Sequence, residues 1–353
     1  MSADSHDRTH ANDPPHVECD DVWKVFGRAP APAIEALRRG MSKEEVRSRY
    51  DCVAAVAGVS LRIPRGEMLC VMGLSGSGKS TLLRMINRLI EPTGGSVRID
   101  GHDVATFDGA ALRQLRSQKI GMVFEHMALW PHRTIRDNVA YSLEVRGVAK
   151  EQRYDAASRA LDEVMLSGWE HQYPDELSGG MQQRVGLARA LVAEPDILLM
   201  DEPFSALDPI IRSELQDYFA AFSAKVRKTT VFITHDLEEA IKIGHRVAIM
   251  NEGRIEQIGT PVEILARPAN DYVRRFVRGI SQLRQLRAIR MVDQARPPEP
   301  RAGATDALDP EADLKTVLTR LAAHGEVFVR AGGDGVARIT MHSALESIRD
   351  CLG

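Results

Sequence analysis

A short apolar run, a glycine-rich loop and a Lys-Ser-Thr opening a helix leave a chain few ways to fold. Residues 71–81 read Val-Met-Gly-Leu-Ser-Gly-Ser-Gly-Lys-Ser-Thr. The apolar run Met68 to Met72 predicts a strand, and Leu82, Leu83, Ile86 and Leu89 recur at helical spacing behind the loop. Strand, loop and helix in this order gather backbone N–H groups and a helix N-terminus around one point, which suits a phosphate. Glycine tolerates torsions closed to other residues, so the loop can turn its amides inward. The candidate nucleotide-binding set is Gly73, Ser75, Gly76, Ser77, Gly78, Lys79, Ser80 and Thr81. Lys79 is placed to reach the β- and γ-oxygens, and the Ser80 hydroxyl to take one position on Mg²⁺. A glycine turn before an ordinary helix competes with this reading for a lone Gly-x-Gly-x-x-Gly, but not for the whole pattern.

Downstream, Ile197-Leu-Leu-Met-Asp-Glu-Pro203 is an apolar run ending in two carboxylates. A buried parallel strand has this composition, and ligands in open α/β sheets sit at such C-terminal edges. Asp201 is the candidate for the Mg²⁺ shell, and Glu202 for the general base that polarises water. Between the two motifs, Leu177-Ser-Gly-Gly-Met-Gln182 precedes a helical pattern through Val185, Ala188 and Leu191. Ser178 and its glycines thus open a second helix N-terminus able to hold an anion. After the acidic pair come Ser205-Ala-Leu-Asp208 and a strand, Val231-Phe-Ile-Thr-His-Asp236, that ends in a histidine.

With these five motifs in this order, residues 17–265 resemble the ATP-binding cassette family. The resemblance implies an α/β fold with a mostly parallel sheet, an antiparallel β layer and a helical subdomain carrying the Leu-Ser-Gly-Gly signature. It also implies a head-to-tail pair of chains with ATP and Mg²⁺ at the interface. Each ATP would lie between the loop of one copy and Ser178, Gly179, Gly180 and Gln182 of the other. Lys79, Glu202 and His235 would be catalytic, with His235 on the γ-phosphate, and Asp208 would couple the two sites. Phe26, at the end of a strand predicted over Val17–Val25, holds the family's adenine-stacking position. Packing at a strand end is the rival reading of that ring.

Residues 28–50 are an insertion that a minimal cassette lacks. Ala33 to Arg39 predicts a helix stopping at Gly40, and Ser42 with Glu45 forms a capping box for a second. A further predicted strand covers Ala54 to Ile63, and a helix-rich stretch runs from about Arg133 to Leu191. With Ala128-Leu-Trp-Pro-His-Arg133, Phe204-Ser-Ala-Leu-Asp-Pro-Ile-Ile-Arg212 and Asp271-Tyr-Val-Arg-Arg-Phe276, the insertion resembles the ATPase subunits of glycine betaine/proline (quaternary ammonium) importers. That resemblance extends to about Gly279. It implies a membrane permease as partner, docked by Met127, Leu129 and Trp130, and an extracytoplasmic solute-binding protein engaged indirectly. The place implied is the cytoplasmic face of the inner membrane, peripherally.

Where the family has glutamine after Gly-Met-Val-Phe, this chain has Glu125. Like charges ~5 Å apart at an effective dielectric of ~20 repel by about 3 kcal/mol. A protonated or displaced Glu125, a tighter metal ligand that slows turnover, and a tolerated swap are all open readings. In the family that position completes the Mg²⁺ shell, so the resemblance implies Ser80, Glu125 and Asp201 as the protein's ligands to the ion.

Composition narrows the function classes. A net charge of −3 over 353 residues gives no polyelectrolyte surface, so no nucleic-acid partner is expected. The four cysteines lack metal-type spacing. No apolar run approaches the ~20 residues that cross a bilayer, so membrane attachment is expected through a partner. Residues 1–16 read as a disordered leader, 17–279 as the ATP-binding domain and 280–304 as a basic segment and linker bearing Arg284, Arg287 and Arg290. Residues 305–353 read as a single α-β-β-α unit resembling one cystathionine-β-synthase-type (CBS) repeat, as a sensor or a dimer-stabilising tail. The expected function is ATP hydrolysis energising import of a quaternary ammonium solute. The alternatives are another small solute such as choline, or a regulatory cassette weakened by Glu125. A cassette acting on ribosomes or DNA would need a second cassette, coiled-coil arms or a basic face, none of which the sequence carries.

Overall fold

The computed structural model describes residues 14–125, 128–205, 207–226, 228–279, 291–292, 299–300, 307–330 and 335–352. Met127, Ala206, Arg284, Arg287, Arg290, the turn at 332–334 and most of the linker at 296–303 lie outside them. The chain divides into two compact units, Met1–His235 with Met250–Ile255, and Asp236–Ile249 with Glu256–Gly353.

The first unit opens with β1 (Val17–Gly27), followed by α1 (Pro30–Arg38), α2 (Lys43–Tyr50) and β2 (Cys52–Ile63), the two strands pairing antiparallel. Pro30 stands in the first turn of α1, where its missing N–H costs nothing. The expected capping box opens α2: Glu45 N donates to Ser42 Oγ at 3.2 Å and Ser42 N to Glu45 Oε2 at 2.8 Å. Helices this short do not persist alone in water. They form because Ile34, Leu37 and Val46 bury against Trp23, Val25 and Cys52, each such side chain contributing about 1.5–3 kcal/mol.

The chain continues through β3 (Met68–Met72), α3 (Lys79–Ile86), β4 (Gly94–Ile99), β5 (His102–Asp103), α4 (Gly109–Gln114) and β6 (Ile120–Val123). The antiparallel layer has the order β2-β1-β4-β5. A helical stretch follows, with α5 (Ile135–Val145), α6 (Lys150–Glu163) and α7 (Gly179–Leu191). The side chain of Asn138, fully buried, donates to the carbonyls of Trp130, Arg133 and Thr134, which fixes the turn entering α5. Then come β7 (Ile197–Asp201), α8 (Pro209–Val226) and β8 (Thr229–Thr234). Every residue of β3, β7 and β8 is buried, and β3-β8-β7-β6 pair in parallel as successive neighbours. Continuous apolar runs are what a sheet covered on both faces requires.

The second unit holds α9 (Leu237–Ile243), β9 (Arg246–Asn251), β10 (Arg254–Gly259), α10 (Pro261–Ala266) and α11 (Asp271–Gly279), with 250–255 of the two strands counted in the first. Its tail is β11 (Glu299–Pro300), α12 (Leu314–His324), β12 (Glu326–Arg330), β13 (Gly335–Thr340) and α13 (Met341–Leu352). The helix–strand–strand–helix order expected from the sequence is present, with the small sheet ordered β11-β13-β12. Asp313 caps α12, and Gly325 at φ 78° ends it. Arg349 on α13 donates to the Gly244 carbonyl at 3.3 Å, neutralising the C-terminal end of α9. Among the described residues no helix is long and apolar enough to cross a membrane.

Candidate nucleotide site

The loop between β3 and α3 is held by contacts that only glycine permits. Gly78, with φ 102°, leads into α3, and a Cβ there would lie 2.2 Å from the Ala55 carbonyl oxygen. At Gly73 a Cβ would lie 2.2 Å from the Met250 carbonyl oxygen. Buried Ser77 has an Oγ without a hydrogen-bond partner among the described residues. A cradle closed to side chains, with an orphaned buried hydroxyl and a helix N-terminus beside it, fits a bound phosphate.

Lys79 is the first residue of α3 and is buried, its ammonium donating to the Gly73 and Leu74 carbonyls at 2.8 and 3.1 Å. Burial lowers its pKa, opposed by the nearby charges of Glu202, Asp201 and Glu125. All three carboxylates singled out in the sequence thus lie near enough to Lys79 to favour its charged form. Ser80 Oγ donates to Asp201 Oδ1 at 2.7 Å, and Arg84 Nη2 donates to Asp201 Oδ2 at 3.2 Å. Arg84 was not anticipated. Its signal was its place four residues after Ser80, hence on the same face of α3. Asp201 is fully buried, and its ion pair with Arg84 satisfies the charge. A serine hydroxyl beside a carboxylate is a hard-oxygen set suited to Mg²⁺, which keeps several waters and phosphate ligands of its own. Glu125 stands exposed just past the end of β6.

Parallel pairing puts Asp201 opposite Ile233, so the residues just past both strands come side by side. His235 Nδ1 and Glu202 Oε2 are 2.9 Å apart. Glu202 takes a left-handed backbone, φ 49°, and its N–H donates to the Ile233 carbonyl at 3.1 Å. Such a torsion costs a non-glycine residue about 1–2 kcal/mol. It turns the chain sharply at the strand end, where the carboxylate meets His235.

The signature residues form a separate feature. Ser178 caps α7, its Oγ accepting from Met181 N at 3.3 Å, and Ser178 and Gly179 are exposed. Gln182 Nε2 donates to the Pro174 carbonyl at 2.8 Å, which braces the turn leading into Ser178. Among the described residues no hydrogen bond joins Ser178, Gly179, Gly180 or Gln182 to the loop at 73–81. Gln183 Nε2 on α7 donates to Ser205 Oγ, just past the acidic strand end, at 3.2 Å. Asp208 caps α8, its Oδ1 accepting from Ile211 N at 3.1 Å. Phe26 is 45 % exposed, with Lys24 Nζ 4.9 Å from its ring centroid. It pairs with Val53, also exposed, so the ring stands at the surface end of its strand. Trp130 is exposed and touches Tyr141 and His132, while Leu129 is half-buried.

Comparison with known proteins gives the family. The family model described as ABC transporter matches residues 56–205. A glycine betaine/proline betaine transport system ATP-binding protein of Salmonella typhimurium is 46 % identical, covering 96 % of this chain and 84 % of its own. A trimethylamine N-oxide transport system ATP-binding protein of Ruegeria pomeroyi is 46 % identical, covering 82 % of this chain and 86 % of its own. The dimeric, post-hydrolysis structure of the ATP-binding cassette MJ0796 with ADP and Pi is 32 % identical at a TM-score of 0.60, covering 69 % of this chain and 98 % of that one. On this likeness, carried by nearly its whole length, the chain belongs to the ABC transporter family, among the ATP-binding proteins of the glycine betaine/proline betaine branch.

Proposed function

We propose that this chain binds and hydrolyses ATP to energise import of glycine betaine/proline or a related quaternary ammonium solute through a membrane permease. The observation that carries hydrolysis is the constellation of Lys79, Ser80, Asp201, Glu202 and His235 around one glycine loop. For the solute, support comes from the relative that matches 96 % of the chain. The trimethylamine N-oxide relative favours a second reading, in which another small amine is carried.

ATP would lie with its phosphates on the amides of residues 73–81 and its base beside Phe26. Bound Mg²⁺, held by Ser80 and Asp201 with Glu125 near, would neutralise charge developing on the β- and γ-oxygens. Lys79 stabilises that same charge from the loop. Glu202 takes a proton from the attacking water, and the 2.9 Å contact with His235 holds the carboxylate in place. Ser178 and Gly180 would act on the γ-phosphate held by a second copy, since Ser178 stands exposed and Gly180 partly exposed on their own helix end, with Asp208 at the same interface. Leu129 and Trp130 would dock on the permease, on the inner membrane face, with the solute-binding protein outside. The tail at 305–353 would act as one CBS-like repeat, stabilising the dimer or sensing a ligand.

ATP binding and turnover by the purified chain test the assignment. Lys79→Ala should lose turnover, and Glu202→Gln should bind ATP, accumulate as dimer and lose about 10²–10⁴ in rate. Glu202→Gln hydrolysing ATP at the parent rate would remove the general-base role.

A further inference from the structure

From the helical insertion at 28–50 a lysine reaches the backbone of β2 behind the nucleotide loop. From the first turn of α2, fixed by the Ser42–Glu45 capping box and by buried Val46, Lys43 donates its ammonium to the Ala54 carbonyl at 2.7 Å. The next carbonyl, Ala55, is a wall against which two glycines pack. A Cβ on Gly78 would lie 2.2 Å from it, and one on Gly253 would lie 2.6 Å from it and 3.0 Å from Lys43 Nζ. Gly253 in turn donates its N–H to the Ser77 carbonyl at 2.9 Å and accepts from Ala57 N at 2.8 Å. Lys43, the peptides at 54–55, Gly253 and the loop at 77–78 are thus one unbroken set of contacts. Burial lowers the pKa of the Lys43 ammonium, with Glu252 opposing and Arg254 adding to the effect.

We propose that Lys43 is a positioning residue for the nucleotide loop, its ammonium fixing the strand against which Gly78 is seated. The inference rests on the reading of that loop as the ATP site. Through Gly78, the N-cap of α3, Lys43 governs how well the first amides of that helix converge on a phosphate. It touches neither Glu202 nor His235, so it acts on affinity and leaves proton transfer alone. The insertion then has a task within the cassette itself.

The test is ADP binding by calorimetry, with Mg²⁺ present, and steady-state ATP hydrolysis by the full chain. Losing one charged hydrogen bond that orders the loop should weaken ADP binding in Lys43→Met by about fivefold to tenfold. KM for ATP should rise alike, with kcat within about twofold of the parent, a split that general loss of folded protein does not produce. Lys43→Arg, which keeps the charge and the donor, should recover most of the affinity. If Lys43→Met does not fold, Lys43→Gln replaces it in the same comparison. Binding within twofold of the parent, or kcat falling in step with affinity, overturns the role of Lys43. A parent chain that binds no ADP would remove the ATP-site reading itself, a different result from a parent that binds and a variant that equals it.

Discussion

Replacing Gly78 by alanine would separate the two reasons glycine is needed at the nucleotide loop. The first is torsional: φ is 102°, a region that costs an L-residue about 1–2 kcal/mol. The second is contact, because the added methyl would sit 2.2 Å from the Ala55 carbonyl oxygen. Carbon and oxygen do not approach closer than about 3.2 Å without strong repulsion, so the loop must retreat by roughly 1 Å. Torsional strain is present with and without nucleotide and largely cancels in affinity. A 1 Å displacement of amides aimed at a phosphate does not cancel, because a hydrogen bond to a charged group lost in this way costs about 1.5–3 kcal/mol, roughly 10- to 100-fold in affinity. Gly147, with φ 77° and nothing within 4 Å of its would-be Cβ, isolates the torsional part. Gly147→Ala should lower resistance to urea by about 1 kcal/mol and leave ATP affinity alone. Gly78→Ala should lose roughly 10- to 100-fold in ATP affinity, measured by equilibrium titration. If Gly78→Ala binds ATP within threefold of the parent, the seat on Ala55 does not organise the site.

Asp137 accepts hydrogen bonds from Tyr154 at 2.5 Å and Thr134 at 2.8 Å. Burial pushes its pKa up, but these bonds and Arg133 outweigh it, so the folded value lies below the ordinary 3.8. The stability this gives is present above the unfolded pKa and lost as pH falls through the folded one. Asp137→Asn should therefore cost about 1 kcal/mol at neutral pH, with the gap to the parent closing below pH ~4 in acid melts. Burial, with Glu18 adding, pushes the Cys19 thiol up to about 12, and Cys52 and Cys70 are fully buried, while Cys351 is half-buried. Iodoacetamide at pH 8 should modify Cys351 first by peptide mass spectrometry, and equal labelling of Cys19 would contradict its burial.

Much of the site was legible in the chain because its parts are local. A strand, a glycine loop and a helix start are consecutive at 68–86, as are the buried strand and its acidic end at 197–202, so residue order alone brings their groups together. The insertion helices were legible for the same reason, since caps and stop signals act within a turn. What spacing could not give was any contact set by strand order. Parallel pairing of β7 with β8 puts Glu202 against His235, 33 residues on, and the seating of α3 beside β7 puts Ser80 and Arg84 on Asp201, over 100 residues away. Lys43 is the clearest instance. In the sequence it is one more charge in a capped, polar helix, and only packing of that helix on β2 brings its ammonium to the backbone behind Gly78. Side-chain reach over a few ångströms is decided by tertiary packing, whereas the torsional needs of glycine and the burial needs of an apolar run are written residue by residue.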